Sequence, residues 1–270
     1  MGRQPRQRRR AQALLELGRL RGQPVSGGHA DVLRLVCQAD LLLLASDLLA
    51  PPGSWEIRGR DVDPCALSET LGHAGLDGDG VLAEAAGEAI RHWKDADPGQ
   101  AALEWCRLFE GAQECPPNET AWIRRDKGAI LADLAGFYRA FGFEPEPGSG
   151  EKPDHARVEL QFAALVLLFI ARASERDDQD RETLACDALR KFLADHLSCW
   201  AGDFARRLAA VSDFALARAT GRYLAALVDA LGRAWKIDTL PETSALPIRD
   251  DGTPWECDGC GETGLSRPPC

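Results

Sequence analysis

Three stretches of the chain carry residues that could do chemistry. Cys257 and Cys260 stand two residues apart near the C-terminal end. Thiolates at that spacing supply two corners of a tetrahedral zinc site, ligate an iron–sulfur cluster or close a redox disulfide. A closed structural site takes four ligands and only Cys270 follows as a third. The motif is therefore open to two readings: a metal or redox function, with partner residues completing any zinc or iron–sulfur site, or incidental thiols in an unstructured tail. Lys152-Pro153-Asp154-His155 lies where a Pro/Gly-rich stretch meets an apolar helical pattern. Read as helix initiation, Pro153 takes the first helical position. Asp154 then sits in the first turn, where the positive end of the helix dipole disfavours a protonated His155. Read as a site, Asp154 offers a carboxylate to an Arg or Lys of a partner. Trp105, Leu108 and Phe109 in an Ala-rich helix, and Trp122 after Pro116-Pro117, are either core or the lining of a groove for an apolar peptide.

Other chemistries lack their residues. Asp77-Gly78-Asp79-Gly80 has the look of a calcium loop, but Gly75 and Ala86 stand where its first and twelfth ligands belong. There is no phosphate-cradling loop, dinucleotide fingerprint or Gly-x-Ser-x-Gly elbow, and the five histidines form no His-x-x-x-His pair. The usual hydrolytic and metalloenzyme signatures are therefore absent.

The elements that must position these residues are helical. Ala, Leu, Arg and Glu dominate over Val, Ile and Thr. Apolar residues recur at helical spacing in Val32–Leu43, Leu131–Phe141, Leu184–Leu197 and Leu216–Leu231. The pattern predicts an all-α bundle of about nine or ten helices. Glu144-Pro145-Glu146-Pro147-Gly148-Ser149-Gly150 is its strongest linker. It separates a helical portion over 1–143 from a second over 153–237, with a hinge over 144–152. Residues 238–270 are rich in Pro, Gly and acid and are read as an extended or disordered tail. The chain has 270 residues, a net charge of −10, 45% hydrophobic and 27% charged residues. That is a globular composition whose acidity disfavours nucleic acid and suits a basic partner. Nine cysteines, an odd count, fit a reducing compartment. No apolar run is long enough to span a bilayer. Glu16, Arg19 and Arg21 interrupt the apolar stretch after Arg8-Arg9-Arg10, which predicts a basic end rather than an export signal. The expected location is cytoplasmic.

Several of these segments, taken in order, resemble the TorD/DmsD family of chaperones for exported molybdoenzymes. Glu104-Trp105-Cys106-Arg107-Leu108-Phe109-Glu110-Gly111 resembles its Tyr-x-x-Leu-Phe-x-Gly helix, with Trp105 in place of Tyr. Pro116-Pro117-Asn118-Glu119-Thr120-Ala121-Trp122 is similar to its Pro-Pro-x-Glu-Ser-Val-Tyr/Trp segment, and Phe137–Phe143 to the helix end before its hinge. Pro153-Asp154-His155-Ala156-Arg157-Val158-Glu159-Leu160-Gln161-Phe162 carries its Pro-Asp-His-x-x-x-Glu-Leu-x-Phe hallmark. His196-Leu197-Ser198-Cys199-Trp200 resembles its later His-Leu-x-x-Trp helix. The resemblance implies an all-helical fold of two helical portions about a hinge, and a chaperone that is not an enzyme and requires no cofactor. It implies binding of the twin-arginine leader or apo form of a molybdenum oxidoreductase precursor until cofactor insertion and export. The implied leader-binding set is Pro153, Asp154, His155 and Glu159 at the hinge, with Trp105, Leu108, Phe109 and Trp122 in the adjoining groove. Asp154 would pair with a leader arginine and His155 would tune that contact. The expected assembly is a monomer or a hinge-swapped dimer. Two alternatives stay open: a NarJ-like chaperone for a catalytic subunit that is not exported, and a redox or metal-delivery protein acting through the Cys tail.

Overall fold

The computed structural model describes residues 27–52, 63–76, 78–110, 114–145 and 151–237. Within them the regular elements are helical: α1 (Gly27–Leu48), α2 (Pro64–Ala74), α3 (Val81–Asp95), α4 (Pro98–Phe109), α5 (Lys127–Ala140), α6 (Ala156–Glu175), α7 (Gln179–Phe192), α8 (Ser198–Val211) and α9 (Ala215–Trp235). A 3-10 turn covers Glu119–Ala121. A π turn over Leu193–Leu197 joins α7 and α8 into one continuous rod. The all-α expectation holds.

Local chemistry starts these helices. Asp63, Asp97, Asp126 and Asp178 each accept a backbone N–H of the first turn, from Cys65, Gln100, Ala129 and Arg181. Such a cap stabilises a helix by about 1 kcal/mol. Pro64 and Pro98 follow two of these caps, at the position where a missing N–H costs nothing. Gly75 ends α2 at φ 65°, a left-handed conformation that glycine takes without penalty.

The apolar faces merge into one core that draws on all nine helices. α1 packs on α6, α6 on α7, and α9 on both α8 and α3. The first described helix thus lies against helices that follow the Pro/Gly-rich stretch. α8 and α9 approach so closely at Gly221 that a Cβ there would lie 2.6 Å from the Ala205 carbonyl oxygen and the Ala209 nitrogen.

Two expectations are corrected. Leu184, placed in an apolar stripe, is 70% exposed, because α7 is buried only along Ala185, Leu189 and Phe192. The Pro153-Asp154-His155 run precedes α6 rather than opening it. His155 is the N-cap, and its Nδ1 accepts the Arg157 N–H at 3.1 Å. Pro153 and Asp154 stay outside the helix because their carbonyls hold other partners: Tyr138 Oη donates to Pro153 O at 2.7 Å and Glu119 N to Asp154 O at 2.9 Å. Cys257, Cys260 and Cys270 lie outside the described residues, as does most of the hinge stretch.

Candidate functional site

The Pro116–Trp122 and Pro153–Glu159 segments are distant in sequence and fastened together in space. An antiparallel bridge pairs Asn118 with His155, and Ala156 N donates to Pro117 O at 2.8 Å. Asp154 completes the joint. Its Oδ1 accepts Asn118 Nδ2 at 3.1 Å, and its Oδ2 accepts Thr120 N at 3.2 Å and Thr120 Oγ1 at 2.7 Å. The carboxylate is 1% exposed. As folded, its acceptor sites face the 118–120 turn and not solvent. Burial pushes His155 down from the ordinary imidazole range to about 4 despite the opposing pull of Asp154. The ring is neutral at physiological pH.

Behind this joint lies a buried polar cluster. Glu119 is fully buried and lies 2.9 Å from His196 Nδ1, whose Nε2 reaches the partly exposed Asp133 at 3.3 Å. Glu159 accepts Trp200 Nε1 at 3.1 Å through Oε2, while Oε1 has no hydrogen-bond partner among the described residues. Burial first, and then the neighbouring Glu119, push the Glu159 carboxyl well above its usual range. The π turn seats His196 here by giving the α7–α8 rod an extra residue in that turn. On the far side, Arg157 anchors α6 to α1. Its Nε donates to Ser46 O at 2.9 Å and it pairs with Glu151.

The groove residues divide. Trp105, Leu108 and Phe109 line an open apolar cavity. Leu48, Leu49 and Pro52 close one side of it, and Leu208, Phe214, Leu216 and Thr220 the other. Trp105 Nε1 is held by Leu49 O at 3.3 Å. Glu104 also lines the cavity, and it accepts Arg107 at 2.6–2.8 Å and the Ser212 hydroxyl. Those bonds, from Arg107 above all, hold the Glu104 carboxyl below the usual range. Trp122 does not line the cavity. It is fully buried, with Nε1 donating to Pro116 O at 2.9 Å.

A ladder of rings connects the two regions. Trp105 meets Phe109 at 5.6 Å, and Phe109 meets Phe204 at 6.2 Å. Phe204 meets Trp122 at 6.2 Å and Trp200 at 5.6 Å. Trp200 is the donor to Glu159. The structure thus brings the whole predicted set into one connected region, with Trp105, Leu108 and Phe109 at the cavity and Pro153, Asp154, His155, Glu159 and Trp122 behind it.

Known proteins resemble this chain over the region that holds the site. The family described as nitrate reductase delta subunit matches residues 77–206. The chlorate reductase assembly chaperone protein of Ideonella dechloratans is 38% identical over 32% of this chain and 44% of its own length. The selenate reductase assembly chaperone protein of Thauera selenatis is 38% identical over 38% and 52%. The chaperone protein TorD of Vibrio cholerae is 26% identical over 52% and 66%. Over these stretches the chain is similar to chaperones of the TorD family. The matches span about half the length of these relatives. Their names are those of chaperones and not of catalysts. All eight leader-binding candidates fall inside the stretch that the family match covers, whereas the α1 and α9 walls of the cavity fall outside it.

Sequence reasoning missed Glu104, Phe204, His196 and Thr220 as parts of this region. Glu159 carried the visible signal for the buried cluster, an acid between Val158 and Leu160 in an apolar helix start. Among the described residues no group of three His, Cys, Asp or Glu is placed to hold a metal ion, and no helix is long and apolar enough to cross a membrane.

Proposed function

We propose that this chain is a cytoplasmic assembly chaperone for a molybdenum-cofactor oxidoreductase. It holds the precursor, by its twin-arginine leader or in its apo form, until the cofactor is inserted. The observation that carries this reading is the open apolar cavity walled by Trp105, Leu108 and Phe109 with Glu104 in its lining. An apolar segment flanked by basic residues is complementary to it. Trp105, Leu108 and Phe109 are the direct contacts. Pro153, Asp154, His155, Glu159 and Trp122 act from behind, at the joint between the helical portions 1–143 and 153–237, and set the shape of the cavity through the ring ladder. The matched family description names a nitrate reductase subunit, and a second reading stands beside the first: a NarJ-like chaperone whose client is a catalytic subunit that is not exported.

Calorimetry with a synthetic twin-arginine leader peptide tests the proposal. Wild-type chain binds it, and Phe109→Ala, at a half-buried wall of the cavity, weakens binding at least about tenfold with unchanged helicity. Equal affinity of variant and wild type removes the site assignment. Absence of binding by wild type removes leader capture and leaves the second reading.

A further inference from the structure

Glu159 is a buried acid with one oxygen occupied and one left over. Its Oε2 accepts Trp200 Nε1 at 3.1 Å, whereas Oε1 finds no donor among the described residues. Native folds leave few such atoms unsatisfied, and each one calls for an explanation. Glu119, in the turn that faces α6, is also fully buried, and its side chain is within hydrogen-bonding reach of the Glu159 carboxyl. Two carboxylates are both acceptors and cannot bond each other. The contact becomes a bond only if one of the two carries a proton. Glu119 has a ring nitrogen to meet, His196 Nδ1 at 2.9 Å, and Glu159 Oε1 has nothing else. The proton therefore belongs on Glu159.

The groups around the pair offer no substitute for that proton. Asp154 spends its carboxylate on Asn118 and Thr120. Neither Glu119 nor Glu159 is paired with a Lys or Arg among the described residues: Arg157 bonds Ser46 and Glu151, Lys191 pairs with Asp195, and Arg125 contributes its charge at Cys199. Three other titratable side chains face the acids. His155 is held near 4 by burial, Cys199 of α8 is pushed up to about 11, and Tyr138 of α5 is pushed up further, both by burial first and then by these acids. All three are neutral between pH 6 and 8. His196 carries the cluster outward to the partly exposed Asp133 at 3.3 Å.

We infer that Glu159 Oε1 carries a proton that it donates to Glu119, and that this one shared proton is a latch fastening the Pro116–Trp122 segment to the start of α6. The latch responds to pH with a definite sign. In the closed joint Glu159 keeps its proton. An opened joint admits water, and the carboxyl then releases the proton above about pH 4.5. Rising pH therefore favours opening. The inference stands on the joint alone and does not depend on which client the chain holds.

Infrared spectroscopy of the full chain at pH 7 tests it through the carbonyl stretch of a protonated carboxyl, with circular dichroism to confirm that each variant is folded. Wild type is expected to show the band and Glu159→Gln to lack it. Glu119→Gln offers Glu159 an amide donor, so the proton becomes dispensable and the band should vanish there too. Its persistence in Glu119→Gln overturns the inference, because burial alone then holds the proton. Its absence from wild type overturns it as well. Amide hydrogen exchange supplies a second measurement that needs no variant. Glu119 N donates to Asp154 O and Ala156 N to Pro117 O across the joint. The protection factors of these two amides in wild type are expected to fall at least about tenfold from pH 6 to pH 8. A flat wild-type profile overturns the latch. Glu159→Gln, whose amide can donate to Glu119 in place of the proton, should be flat, and a variant that follows the wild-type slope overturns it too.

Discussion

Asp154→Ala is the substitution that most directly separates a ligand-binding carboxylate from a structural one. In the folded chain this carboxylate accepts three hydrogen bonds from Asn118 and Thr120 and is 1% exposed. Bonds to a charged acceptor contribute about 1.5–3 kcal/mol each. They share one acceptor group and do not add in full, so removing them together destabilises the chain by about 3–5 kcal/mol. Against a total stability of about 5–15 kcal/mol this is a large fraction. It corresponds to a fall in Tm of about 6–20 °C for a domain of this size. Urea unfolding of wild type and Asp154→Ala measures it. Thr120→Val serves as the companion variant: it removes one of the three bonds without touching the carboxylate, and should cost about 1–2 kcal/mol. Peptide affinity, read at a temperature where every variant is folded, completes the set. If Asp154→Ala is as stable as wild type and loses affinity at least tenfold, the carboxylate is free to meet a leader arginine and the bracing role is refuted. If stability falls as stated and the folded variant still binds, Asp154 acts by shaping the site.

Two buried groups give stability opposite dependences on pH. His155 is held near 4 against an ordinary 6.5, so between those values the folded chain binds fewer protons than the unfolded one. Its contribution, up to about 3 kcal/mol, is complete above pH 6.5 and is lost as pH falls toward 4. His155→Asn, which can still cap α6, should flatten that limb in urea unfolding between pH 4 and 7. Glu159 is shifted the other way, so the folded chain keeps a proton that the unfolded chain releases above about pH 4.5. Stability therefore falls as pH rises, and Glu159→Gln should be more stable than wild type at pH 8 with little difference at pH 4; the reverse ranking would show Glu159 ionised in the fold. Gly221→Ala would press a methyl within 2.6 Å of α8 backbone and should cost about 2–3 kcal/mol, whereas Gly232→Ala on the same helix meets nothing within 4 Å and should be neutral or slightly stabilising in thermal melts.

The helices were legible because their signals are local. Apolar spacing over Leu216–Leu231 marks the buried face of α9, whereas the Asp-Pro starts at 63–64 and 97–98, equally local, went unread. Leu184 misled because periodicity reports a stripe without saying how wide a neighbour covers it. The start of α6 was misplaced for a different reason. Proline at the first helical position is the local optimum, and it lost to hydrogen bonds from Tyr138 and Glu119, residues fifteen or more positions away. The same limit explains Asp154. Its type and its place beside a linker suggest an exposed ligand, and only the fold shows Asn118 and Thr120 already bonded to it.

Packing constrains how the joint and the cavity can influence each other. Trp122, Trp200 and Phe204 are fully buried, and close-packed rings transmit a displacement instead of absorbing it. Phe204 touches Phe109 at the cavity and both tryptophans behind it. Trp122 is pinned to Pro116 at one end of the joint, and Trp200 to Glu159 at the other. A ligand that moves Phe109 must therefore displace Phe204 and load the hydrogen bonds that Trp122 and Trp200 make. Conversely, a change at Glu159 alters the seat of Phe204 before it reaches the cavity. Substitutions at Glu159 and Phe109 should for that reason be non-additive in peptide affinity, although no direct contact joins the two side chains. A double-mutant cycle of Glu159→Gln with Phe109→Leu measures this. A coupling of about 0.5 kcal/mol or more fits transmission through the ladder. Strict additivity would show that the acid cluster holds the fold without shaping the site.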